Sequence, residues 1–193
     1  MRRPPSTDFC GTVWRWTSYD VAWCAGPNFS PGRWHDEHSP PTQYLSLSAA
    51  GAWAEMVRHF GLTDPADAAD ARFRLWRGWM ELADVADLTA AGACERHGLP
   101  AGALGSDDHQ VCQLESHRLR GLGFEAVLSP SAALSGETNL VVWGARRPIA
   151  WRRVSTTEVE PVKPAFRSDI PTELVAIGGP DPGLVPYVRH RGS

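Results

Sequence analysis

Arg15, Glu55 and Ser131 stand in three separate segments of the chain, and each carries a side chain that can handle charge or protons. A guanidinium grips phosphate or carboxylate in a planar, two-toothed geometry that lysine cannot match. A carboxylate can hold a neighbouring positive charge, and a hydroxyl both donates and accepts. Taken singly, each has a plain structural explanation. An arginine on a strand is usually a solvated edge residue, a glutamate off the apolar arc an exposed helix charge, and a serine after proline a turn former. Function therefore turns on whether the fold brings them together. Rival constellations are weaker. Cys10, Cys24, His35 and His38 do not show zinc-ligand spacing, and Cys94 and Cys112 add no close pair, so reduced thiols and no metal are expected. His35 and His38 flank Asp36-Glu37, a pattern that reads as an exposed polar loop. No Rossmann fingerprint, P-loop or Gly-x-Ser-x-Gly elbow occurs.

The elements that must position these residues can be read from periodicity. Thr12 to Thr17 is rich in aromatic and β-branched residues and predicts a strand, with Val13, Arg15 and Thr17 opposite Trp14 and Trp16. The Pro/Gly-rich stretch from Ala25 to Pro41 predicts a long flexible loop that carries Gly32-Arg33-Trp34. Thr42 to Leu47 alternates at period two and predicts a second strand. Ser48 suits the N-cap of a helix over about 49–60, closed by Gly61, with Trp53, Met56, Val57 and Phe60 as its core stripe. Glu55 lies about 160° from Trp53 on that helix, pointing toward solvent or a cleft. Further along, a short helix is expected over 64–71, a strand over 72–82 with an irregularity near Gly78, and a short helix over 89–97. A longer helix from Ser106 or Asp107 to about Leu122 should set Val111, Leu114, His117 or Arg118, and Leu122 near one face. Phe124–Leu128 and Leu140–Trp143 predict short strands joined by the polar turn that holds Ser131. The sum is an α+β pattern: one mixed domain over 12–154, a flexible N-terminus over 1–11, and a Pro-rich tail over 155–193 that is extended or disordered.

The flanks of the three residues form an ordered series: Arg15, Gly32-Arg33-Trp34, Tyr44-Leu45-Ser46, Ala54-Glu55, Asp87-Leu88-Thr89, Pro130-Ser131-Ala132 and Asn139-Leu140-Val141. In order and spacing this series resembles the RES domain family, named for its Arg, Glu and Ser, over about residues 12–146. The resemblance implies an ADP-ribosyltransferase-like fold and a toxin of a bacterial toxin–antitoxin module that consumes NAD+. Known activities are hydrolysis or phosphorolysis of NAD+ and ADP-ribose transfer to a protein; a catalytically inactive binding protein is the alternative of another class. It further implies an Xre-type helix-turn-helix antitoxin as partner and NAD+ as substrate, with no resident cofactor. On this resemblance Glu55 and Arg15 are the catalytic candidates. Glu55 would stabilise the charge that develops at the ribose, and Arg15 would meet the pyrophosphate. Arg33, Trp34, Tyr44 and Ser131 are candidates for substrate binding. Tyr44 can equally be a core tyrosine with a satisfied hydroxyl, Trp34 a loop anchor, and Ser131 a turn stabiliser. The chain departs from the family in two places: Pro31 and His35 flank the loop motif that commonly reads Gly-Gly-Arg-Trp/Phe-Asn, and Ala133 stands where an arginine often follows the serine turn.

Composition sets the outer bounds. The 193 residues suffice for one cored domain, and the formal net charge of -3 supplies no overall positive field to gather a nucleic-acid backbone. Lys163 is the only lysine, so basic recognition falls to arginine. No apolar run approaches the roughly 20 residues of a membrane span, and no secretory signal is visible, so no membrane partner and a cytoplasmic address are expected.

Overall fold

In the computed structural model, which describes residues 5–18, 30–62, 74–100, 102–144 and 150–154 together with 3, 22 and 28, the alternating segments become strands. They are β1 (Ser6–Thr17), β2 (Thr42–Ser46), β3 (Arg74–Asp87), β4 (Ala126–Pro130), β5 (Thr138–Trp143) and β6 (Ala150–Val154). Helices α1 (Ala49–His59), α2 (Ala93–Arg96) and α3 (Gln110–Gly121) complete the order, with α1 between β2 and β3 and the other two between β3 and β4. This is a mixed α+β domain.

β1 runs antiparallel to β3 along almost its full length, and β2 to β5 and β5 to β4 are also antiparallel. β3 meets β4 in parallel at Ala86 and Asp87, and β1 touches β2 at Trp14 opposite Ser46. Five strands thus close into a barrel-like ring, with β6 paired to β3 outside it. Period-two alternation sorts the apolar residues: Val13, Leu45, Met80, Val85, Leu128 and Leu140 fill the interior. Residues of opposite parity face outward, and two groups of them are covered by helices. Trp53, Met56 and Val57 of α1 pack with Leu75, Trp14 and Trp16, while Cys112 and Leu119 of α3 pack with Val127, Val141, Trp143 and the loop residue Trp34.

Several expectations are corrected here. β1 begins at Ser6, so residues 6–11 join the sheet because β3 extends to Asp87 and offers them a partner. The irregularity falls not at Gly78, which pairs regularly with Val13, but where β1 shifts register between Thr7 and Phe9. There Asp84 takes a positive φ of 58° and its N–H donates to Asp8 Oδ1 at 3.0 Å. A short acidic side chain tolerates that backbone region better than most residues. The short helix after Thr89 keeps only Ala93–Arg96, and α3 starts at Gln110. α3 also buries a different face: Cys112, Glu115, Ser116 and Leu119 point inward, whereas Leu114 is 65% exposed. The expected helix over 64–71 and the tail over 155–193 lie outside the described residues. No helix among the described residues is long and apolar enough to cross a membrane.

Candidate active site

α1 delivers Glu55. Ser48 caps the helix by accepting the Gly51 N–H at 2.8 Å, and its hydroxyl donates to Glu137 Oε2 at 2.5 Å. Glu137 belongs to the turn between β4 and β5, and its carbonyl accepts the Ser131 N–H at 2.8 Å. The helix start and the serine turn are therefore tied together before either side chain reaches the site.

Two donors then converge on one carboxylate oxygen. Ser131 Oγ donates to Glu55 Oε1 at 2.8 Å, and Asn139 Nδ2 donates to the same atom at 2.6 Å. The Ser131 hydroxyl also accepts the Ala133 and Leu134 N–H groups, each at 3.1 Å, which fixes its proton toward Glu55. Asn139 is oriented from behind: Ser46 Oγ, its cross-strand neighbour, donates to Asn139 Oδ1 at 3.0 Å and leaves the amide N–H₂ for the carboxylate. Asn139 thus joins the site, a role that the sequence reading did not give it although it opens the Asn139-Leu140-Val141 motif.

Glu55 lines a cleft of about 800 Å³ between α1, strands β1, β2 and β5, the 30–35 loop and the turn before α3. That size falls within the roughly 300–1,000 Å³ of small-molecule sites. Arg15 lines the same cleft, and its guanidinium donates to Oε1 of the fully buried Gln43. The fold thus brings Arg15 and Glu55 to one hollow, with Ser131 behind Glu55 and hydrogen-bonded to it.

The loop wall is held in place by hydrogen bonds at many points. Gly32 and His35 form an isolated β-bridge. The Tyr44 hydroxyl accepts the Trp34 N–H at 2.9 Å and lies 2.7 Å from His35 Nδ1, while His35 Nε2 lies 2.9 Å from the Ser30 carbonyl. The carbonyl obliges Nε2 to carry the proton, so Nδ1 accepts from Tyr44. Burial lowers the His35 pKa, which favours this neutral form, and burial raises that of Tyr44. Four residues of α3 at helical spacing hold the rest. Gln113 donates to the Gly32 and His35 carbonyls, Ser116 to that of Trp34, His117 pairs with Asp36 at 2.6 Å, and Arg120 reaches Ser39. Residues 30–39 of the expected flexible loop thus form a hydrogen-bonded wall.

This wall assigns the two aromatic candidates different surroundings. Tyr44 lines the cleft with its hydroxyl satisfied from behind. Trp34 also lines the cleft, and at 2% exposure it packs mainly in the α3 core, where it anchors the loop. Arg33 lines the cleft and donates from Nη1 to the Ala103 carbonyl at 2.9 Å. Among the described residues no three His, Cys, Asp or Glu side chains are grouped to hold a metal ion.

Comparison with known proteins adds three findings. A family model described as the RES domain matches residues 9–164. The chain is 37% identical over 141 residues to a probable NAD(+) phosphorylase of Mycobacterium tuberculosis, an alignment that covers 72% of this chain and 67% of the relative. The fold is similar, with a TM-score of 0.65 and 26% identity, to a chain of the M. tuberculosis MbcT-MbcA toxin-antitoxin complex, covering 77% of this chain and 86% of that one.

Proposed function

The chain belongs to the RES domain family, and from that premise we propose that it cleaves the bond between nicotinamide and ribose in NAD+, with the Glu55 cleft as its active site. The reaction breaks the C1′–N bond, and its electron pair returns to the pyridine ring, so nicotinamide leaves neutral and needs no general acid. Positive charge develops on C1′ and the ring oxygen. The Glu55 carboxylate stabilises that charge, and the Ser131 and Asn139 donors hold it without reorganisation at the moment of reaction. An oxygen nucleophile then bonds to C1′ and releases its proton, giving ADP-ribose from water or its 1-phosphate from inorganic phosphate. The name of the M. tuberculosis relative favours phosphate as acceptor. NAD+ enters as substrate, and no resident cofactor takes part.

The observation that carries this reading is the convergence of Ser131 and Asn139 on Glu55 Oε1 at the edge of the cleft. Arg15 fits the role of a pyrophosphate contact, and Tyr44 offers a ring face for the flat cationic nicotinamide, an interaction worth about 0.5–2 kcal/mol. Barrel, helix and cleft suit the ADP-ribosyltransferase-like architecture that the family resemblance implies. The similarity to the MbcT-MbcA complex supports an antitoxin as protein partner, and the family resemblance implies one of the Xre helix-turn-helix type. The direct test is incubation of the purified protein with NAD+ and phosphate, with mass spectrometry of the products. Nicotinamide together with ADP-ribose or its 1-phosphate is expected. Glu55→Gln should slow release by roughly 10²–10³-fold, the scale of removing one preorganised electrostatic group. Undiminished NAD+ consumption by that variant would refute the mechanism.

A further inference from the structure

Besides Arg33, already a binding candidate, the cleft is lined by an arginine and a histidine, Arg58 and His109, to which the mechanism above gives no role. Arg58 stands three positions after Glu55 on α1, so the two share a helix side with about 5–6 Å between their Cβ atoms. Its Nη2 donates to the Gly105 carbonyl at 2.9 Å, while Arg33, from the opposite wall, donates to the Ala103 carbonyl at 2.9 Å. Both guanidiniums are therefore fixed on a single turn. His109 follows that turn as the N-cap residue of α3, with no side-chain hydrogen bond to the helix, and all three residues line the cleft. The positive end of a 12-residue helix opens at the same point.

We propose that Arg33, Arg58 and His109 form a phosphoryl subsite, placed one helical turn from the carboxylate that serves the ribose; this rests on the NAD+-cleaving reading above. A guanidinium offers five N–H donors in a fork that matches phosphate oxygens. The acidic groups nearby are Asp107 and Asp108. Asp107 lies 3.8 Å from Arg58 with its side chain 72% exposed, so water screens the pair. Asp108 accepts the Gln110 N–H and so serves the helix end. Burial, then repulsion from Arg33 and Arg58, lowers the His109 pKa, as expected where positive charges crowd together. Tyr44 lines the same cleft and feels both Arg33 and Glu55. The shared chemistry is a phosphate group, and it has two sources: free inorganic phosphate as acceptor, or the pyrophosphate of NAD+.

The test reads binding without turnover. Inorganic phosphate and, separately, ADP-ribose are titrated calorimetrically into the full chain carrying Glu55→Gln, alone and combined with Arg58→Gln or His109→Gln, with melting curves to establish folding. Arg58→Gln should weaken at least one probe by about tenfold or more, the worth of a charge-assisted contact, and His109→Gln should weaken the same probe by a smaller factor. Loss confined to inorganic phosphate identifies the acceptor position; loss confined to ADP-ribose identifies the pyrophosphate position. If Arg58→Gln does not fold, His109→Gln alone decides. Unchanged affinities in the folded variants, or no binding of either probe to the parent, would overturn the subsite. Wild-type NAD+ cleavage alongside that result leaves the proposed activity standing and removes the subsite alone, whereas a positive binding result with no wild-type cleavage does the reverse.

Discussion

At the scale of single residues, Glu55 is defined less by its own position than by what is aimed at it. Ser131 and Asn139 act as positioning residues for Oε1, and their removal should have separable effects. Ser131→Ala deletes a donor to Glu55 and leaves the Ala133 and Leu134 N–H groups without their acceptor. It should lower both kcat and stability, the latter by about 1–3 kcal/mol, as read from denaturant melts. Asn139→Ala removes the second donor and frees Ser46, which can turn to water. It should cost about tenfold in kcat, or about 1.4 kcal/mol of transition-state stabilisation, with KM for NAD+ nearly unchanged. Both readouts come from steady-state nicotinamide release.

At the scale of elements, the wall formed by residues 30–39 depends on its contact with β2 and α3. A Cβ at Gly32 would lie 2.6 and 2.8 Å from ring atoms of His35 and 2.8 Å from the Tyr44 hydroxyl, closer than real contacts allow. Gly32→Ala should therefore push the loop off Tyr44 and raise KM for NAD+, while the barrel, to which the loop contributes no strand, stays folded by circular dichroism. The same loop predicts a pH response. Because burial lowers the His35 pKa below its ordinary 6.5, the unfolded chain binds a proton that the folded chain refuses. Stability is then full above about pH 6.5 and falls as the solution is acidified below it. His109 acts in the same direction. Asp36, held low chiefly by its hydrogen bonds to His117 and Ser39, loses its contribution only in much stronger acid. The melting temperature should decline from neutral pH toward pH 5, and His35→Gln should flatten that slope while lowering the neutral-pH value. A second junction, His97 with Glu115 and Arg118, ties the end of α2 to α3 with Glu115 only 5% exposed. Glu115→Ala should cost about 3–5 kcal/mol, since it strands a buried histidine and an arginine. The turnover of the remaining folded protein should be unchanged.

At the scale of the whole molecule, the part of the barrel interior around Leu140 is scaffold, on the other side of β5 from the cleft. Leu140 is fully buried there, next in sequence to Asn139, which faces the opposite side of β5. Leu140→Ala should destabilise by about 2–5 kcal/mol in denaturant titration. The KM of the folded fraction should change little, because alternation keeps the cavity on the far side of the strand from the cleft.

Much of this architecture was legible in local pattern. The Ser48 cap, the α1 core stripe, the period-two strands and the off-core direction of Glu55 all follow from rules that act over a few residues, and the structure reproduces them. The ordered motif series likewise named Arg15, Glu55, Ser131 and the Asn139 segment before any of them could be seen together. Tertiary structure decided what neighbours from distant segments decide. The start of β1 depends on how far β3 extends beside it, and the buried face of α3 depends on which polar residues find partners across the interface. Glu115 and Ser116 point inward because His97, Arg118 and the Trp34 carbonyl satisfy them, while Leu114 is left outside. The Arg33–Arg58–His109 group, gathered from three segments onto one turn, had no periodic signature for the same reason: propensity and alternation are properties of contiguous chain, whereas hydrogen-bond satisfaction and charge clustering exist only after the barrel has closed.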